Sequence, residues 1–198
     1  MLSRKCDLCY NHLDKLEFDE GQGMHHFKSW SYLNKQLSDR LCNPLKDRIS
    51  YFMTRYSDVH NSYGRASIRL DKKELVVFSW IEMYRQESDI HAHWRETGIW
   101  DDDDPGIKSK WENNCTLSDW DFLQAATDFL QMSISDALDS DNCLIRILAI
   151  MDKRVGKRTI QQIQANASYK AYPQWVQQFY TLRLSIEIPA CRSDGSDK

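Results

Sequence analysis

The residues best spaced for chemistry stand near the start of the chain, where Cys6-x-x-Cys9 is followed by adjacent His25 and His26. Two cysteines at that spacing can take two corners of a zinc tetrahedron, with histidine nitrogens at the others. Fifteen residues lie between Cys9 and His25, a span that zinc loops accommodate. Neighbouring histidines on an extended chain point in different directions, however, and share one ion poorly. His12 can substitute for one of them. Zinc is the one cofactor suggested, and free thiols on an N-terminal extension are the simpler reading.

A second set is His91-Ala92-His93 with Asp101, Asp102, Asp103 and Asp104, which evokes a metal-dependent hydrolase. On a helix, positions i and i+2 point about 200° apart, so the two histidines would not face one ion. Four consecutive aspartates normally form a solvated, self-repelling loop. The chain has no glycine-rich phosphate loop, nucleophile elbow or His-Glu-x-x-His motif. No catalytic residue is assigned, and a non-catalytic protein is the expectation.

Charge is more informative. Residues 82–104 carry eight acids against two arginines, whereas residues 152–184 carry six basic side chains against one acid. Trp94, Trp100, Trp111 and Trp120 flank the acidic run, and acids interleaved with aromatics suit a face that meets a basic protein partner. An immunity or adaptor protein has this character. The alternative places phosphate or nucleic acid on Lys153, Arg154, Lys157 and Arg158. Helix ends attract cations without any ligand, which gives that cluster a purely architectural explanation.

The elements that must position these residues follow from periodicity. The chain has 198 residues, 41% of them hydrophobic, seven tryptophans and a formal net charge of −3. That suits one folded domain without a global pull toward nucleic acid or anionic membranes. No stretch is apolar enough for a membrane span, and the N-terminus lacks the apolar core of a secretory signal. The expected location is the cytoplasm, with all six cysteines reduced.

Trp30, Leu33, Leu37 and Leu41 draw a helical stripe that Asn43-Pro44 ends. Arg48–Tyr56, Arg65–Asp71 and Leu75–Trp80 read as three strands of an antiparallel meander. Ala66, Ile68 and Leu70 should share the core face, and Arg65, Ser67 and Arg69 a more polar one. A helix over Ile81–Glu96 and a loop over Thr97–Ser118 follow. Four short helices complete the chain: from Ser118 to about Leu138, from Asn142 to Lys153, from Thr159 to about Ser168, and from Pro173 to about Leu184. The expected class is α+β. Residues 1–27 form an N-terminal extension, 28–188 a single domain and 189–198 a frayed tail.

The series WSYLNKQL, RISYFMTRY, GRASIRLDKKEL, SISDALDSDNCLIRILAIMDKRVGKRT and FYTLRL resembles a group of small uncharacterised bacterial proteins. The resemblance covers about Trp30 to Leu184. It implies a cytosolic bacterial protein of α+β type and carries over no catalytic residues.

The tightest expectations concern Ser140–Thr159. Ser140 or Asp141 should cap a helix in which Leu144, Ile147, Leu148 and Met151 are buried, with Cys143 a small buried hydrophobe. Ile145, Ala149 and Val155 should extend the contact to neighbouring helices. Arg146 should run its stem along that surface to solvent or an acid. Gly156 should take a positive φ as the helix stop, and Thr159 should cap the next helix.

Overall fold

The computed structural model describes residues 29–55, 64–79, 96, 115 and 117–187. Helix α1, Trp30–Arg40, starts at Ser29, whose hydroxyl accepts from the Tyr32 amide, and buries Leu33 and Leu37. It ends at Leu41. Pro44 then stands in the first turn of a one-turn helix α2, Asn43–Lys46, where a missing N–H costs nothing. Strands β1 (Ile49–Arg55), β2 (Gly64–Leu70) and β3 (Lys73–Ser79) follow and pair antiparallel in the order β1-β2-β3. This is the expected meander. Its β2–β3 turn holds Asp71 and Lys72 at φ 49° and 69°, the two positive values that a tight hairpin turn requires.

Tyr51 pairs with Ile68 and Ile68 with Val76, Met53 with Ala66 and Ala66 with Phe78, which sets the core face of the sheet. Helix α3, Asp119–Gln131, lies on that face, and Phe122 stacks on Phe78 with ring centroids 5.0 Å apart. Trp30 and Tyr51 close around the same ring at 6.2 and 6.3 Å. Gly64 sits where β2 meets α3. A Cβ there would stand 1.8 Å from Oδ2 of the fully buried Asp119, so only glycine lets strand and helix approach this closely.

The other face is charged, as Arg65 and Arg69 suggest. Both arginines pair with Glu74 of β3, Ser67 donates to the same carboxylate, and the Arg69 guanidinium covers the Phe52 ring. The Arg65 hydrogen bonds, with help from Arg69 and Ser67, outweigh burial and hold the Glu74 carboxyl at about 2.

The expected helix from Ser118 to Leu138 is two helices. Ser118 caps α3 in a reciprocal box with Asp121, but Met132 is extended. Ser133 then caps α4, Ile134–Asp139, by accepting from the Asp136 amide. Helix α5, Cys143–Met151, is capped by Asn142 through the Leu144 amide and not by Ser140 or Asp141. Ser140 is the last residue of the preceding turn, and its hydroxyl accepts from the Asn142 amide. Every residue of α5 except Arg146 is buried, including Cys143, Leu144, Ile147, Leu148 and Met151. Such an all-round apolar helix belongs in the middle of a core, and α3, α4 and α7 (Gln174–Glu187) all pack on it.

Helix α6 is Lys157–Asn166. Gly156 begins it instead of closing α5: its φ is −80° and a Cβ there would meet nothing within 4 Å. Neither the positive φ at Gly156 nor the Thr159 cap is found, and Thr159 lies inside α6. The left-handed residue is Ala167, φ 48°, which closes α6 before the 3-10 turn Ser168–Ala171. Among the described residues no helix is long and apolar enough to cross a membrane. The architecture is α+β.

Two outcomes follow. Gly64→Ala should lower unfolding free energy by about 2–3 kcal/mol in urea, because a buried carboxylate must move, whereas Gly156→Ala should change it little. For Glu74, a carboxyl held at about 2 when folded and near its ordinary 4.5 when unfolded adds stability above pH 4.5. That contribution should fade as pH falls from 4.5 toward 2. A pH series of melting temperatures should therefore drop less steeply over this window in Glu74→Gln than in the natural chain.

Candidate functional site

Three helix C-termini meet at the segment Asp152–Gly156. The Cys42 amide donates to the Met151 carbonyl and the Lys153 amide to the Arg40 carbonyl, at 3.0 and 2.8 Å, forming a short antiparallel bridge between Leu41 and Asp152. Lys153 Nζ reaches the Asp39 carbonyl at 2.7 Å, at the end of α1. Arg40 Nη2 reaches the Leu130 carbonyl at 2.8 Å, at the end of α3. The Asp152 side chain is 0% exposed and accepts from the Arg154 backbone N–H and from its Nε and Nη2. The guanidinium groups of Arg40 and Arg154 lie 5.3 and 5.8 Å from the Phe129 ring centre. From α7, the buried Arg183 donates to the Val155 carbonyl at 3.0 Å and pairs with Glu187.

This divides the basic cluster. Both Lys153 and Arg154 have internal partners: Lys153 answers an orphan carbonyl at the end of α1, and Arg154 the buried Asp152 carboxylate. Lys157 and Arg158 are exposed in the first turn of α6, where the helix dipole favours anions and not cations.

Beside this junction opens a cleft of about 440 Å³ that periodicity did not reveal, since α4, α5, α6, the 3-10 turn and α7 all contribute to it. Ile134, Leu138, Val155 and Ile163 supply apolar wall. Arg146, Arg154, Thr159, Gln162, Asn166 and Tyr172 supply donors and acceptors. Arg146, the polar break in α5, is partly exposed as expected, but its nitrogens meet neutral acceptors instead of an acid. Its Nε donates to the Ser140 carbonyl, Nη1 to the Tyr172 hydroxyl and Nη2 to the Asp139 carbonyl. Tyr172 and Tyr180 pack tilted at 5.7 Å, and burial pushes the Tyr180 hydroxyl up to about 12. Thr159, inside α6 instead of capping it, is part of this wall.

Of the acidic–aromatic surface, Trp120 is described, at the start of α3 and 40% exposed. It and Tyr32 of α1, 42% exposed, are the large hydrophobics that stand out to solvent among the described residues, on two helices that pack together. Trp94, Trp100, Asp101, Asp102, Asp103, Asp104 and Trp111 lie outside the described residues, as do Cys6, Cys9, His25, His26, His91 and His93. Among the described residues no group of three or more His, Cys, Asp or Glu side chains could hold a metal ion. The expected helix over 81–96 and the following loop also fall outside them, apart from Glu96, Cys115, Leu117 and Ser118.

The model of the SF0329 protein family matches residues 29–184. The chain belongs to that family. The match spans α1 through nearly all of α7, so the junction, the cleft and the sheet are all family territory. No curated protein and no solved structure matches this SF0329-family chain.

Proposed function

We propose that this protein is a non-catalytic, cytoplasmic bacterial interaction protein that binds a basic protein partner, in the manner of an immunity or adaptor protein. The contact surface would be the acidic–aromatic segment from Trp94 to Trp120. One observation carries the reading: Trp120, at the end of that segment, is 40% exposed on a helix whose opposite face buries Phe122, Ala125, Ala126 and Phe129. A tryptophan held at the surface by a rigid helix offers large apolar area with little side-chain entropy to lose, which is why such residues anchor interfaces. The net charge of −6 over residues 82–104 would draw a basic partner and shorten the search for it.

A nucleic acid is the second reading, favoured by the exposure of Lys157 and Arg158 at the start of α6. With Lys153 and Arg154 bonded internally, that patch offers few phosphate contacts, so any binding would have a shallow salt dependence.

Affinity capture with the full chain separates the two. The expected catch is a basic protein whose recovery falls with added salt and drops at least about tenfold for Trp120→Ala and for Asp101–Asp104→Asn. Capture unchanged by both variants, or recovery of nucleic acid that is lost in Lys157→Ala/Arg158→Ala, would overturn the protein-partner reading.

A further inference from the structure

We infer that the outer edge of β1 pairs with β1 of a second copy of this chain, antiparallel about a two-fold axis at Tyr51, to make one continuous sheet. The inference goes beyond the protein-partner reading and is independent of it, because β1 shares no residue with the Trp94–Trp120 segment.

Hydrogen-bond phase identifies the edge. The Asp71 amide donates to the Arg48 carbonyl at 2.8 Å, and these two residues continue the register in which Ile49 faces Leu70. Bonded and non-bonded pairs alternate along an antiparallel ladder, so Ser50, Phe52 and Thr54 are the residues bonded to β2. The N–H and C=O groups of Ile49, Tyr51 and Met53 therefore point away from β2. Among the described residues none of these groups has a hydrogen-bond partner on that side. The same alternation puts Val77 and Ser79 on the outer edge of β3, with Leu75 at the bulge before them. That edge is occupied by the chain itself: Gln178 donates to the Leu75 carbonyl at 3.0 Å, and the Ser79 amide to the Leu117 carbonyl at 3.1 Å. The sheet thus has one edge answered from within and one that is not.

What fits β1 is set by its own residues. Edges that must stay single carry lysine, proline, an inward charge or a bulge. Ile49–Thr54 reads ISYFMT, with no charge and no proline, and its register to β2 runs without a shift. Short uncharged segments of such β-branched and aromatic residues pair readily with themselves. A two-fold at Tyr51 sets Tyr51 against Tyr51, and Ile49 against Met53 of the second copy. Each of these pairs exchanges two hydrogen bonds, so every outward group of the three residues is answered. The same register lays Ile49 beside Met53, which packs on the core but is only half-buried, and so extends the apolar face across the join. A strand from a basic protein would find no counter-charge along this edge, which favours a second copy over the partner that Trp120 would anchor.

The test is sedimentation equilibrium of the full chain, with amide exchange followed at two concentrations. The chain should dimerise with a Kd of about 10 μM or tighter, and dilution below that value should speed exchange at the Tyr51 and Met53 amides at least about tenfold. Met53→Pro removes an outward donor and no bond to β2, and should weaken the dimer at least about tenfold. Ser50→Lys puts a charge on the edge at an exposed position, where the monomer should keep its fold, and should weaken the dimer to a similar degree. If Met53→Pro does not fold, Ser50→Lys decides. A chain still monomeric at about 100 μM overturns the inference. So does a dimer untouched by Ser50→Lys, or slow exchange of the Tyr51 and Met53 amides in a monomer, which would mean that the chain covers this edge itself.

Discussion

The two backbone hydrogen bonds around Leu41 and Asp152 are the constraint on which the rest of this fold depends. They join the end of α1 to the end of α5, two segments far apart in the chain. The C-termini of α1, α3 and α5 thereby converge, and their unpaired carbonyls point at one region. Arg40, Lys153 and the Cys42 amide answer those carbonyls directly. The resulting crowding of cations is felt: burial first, and then Arg154, lower the affinity of Arg40 for its proton, and Asp152 partly restores it. A fully buried aspartate is thus the counter-charge that lets two arginines share the Phe129 ring.

That junction also decides where the cleft opens. By fixing both the exit of α5 and the entry to α6, it leaves α6 attached to the core mainly through Ile160 and leaves a gap toward α4. The polar break in α5 faces that gap. The sheet is packed by Phe122 on one face and closed by the Glu74 ion network on the other, with β3 also tied to α7 through Gln178 and the Leu75 carbonyl. Architecture thus uses the charges at Lys153, Arg154, Arg146 and Glu74, while Lys157 and Arg158 stand exposed at the start of α6.

Much of this architecture could be read in the chain before any coordinates. The alternation of Ala66 and Ile68 with Arg65, Ser67 and Arg69 fixed the sheet faces, and the apolar run Cys143–Met151 announced a core helix. What escaped were choices that depend on distant partners. Gly156 looks like a helix stop after Lys153 and Arg154, yet those cations serve the α1 end and Asp152, and the glycine opens α6 in an ordinary conformation. Met132–Ser133 looks continuous with its flanking helices because both sides are amphipathic, and only the Ser133 cap reveals the break. The role of Lys153 rests on a carbonyl 114 residues away, which no local pattern encodes. The cleft was illegible for the same reason, being assembled from five elements with no motif of its own.

The Leu41–Asp152 bridge belongs to the cooperative core and is not a surface loop contact. Native-state hydrogen exchange at the Cys42 and Lys153 amides tests this most directly. Both should exchange only through global unfolding, with the same opening free energy as amides in the middle of α5. Exchange of either amide through a local opening well below that free energy would show that α1 and α5 are not joined there, and would contradict the account.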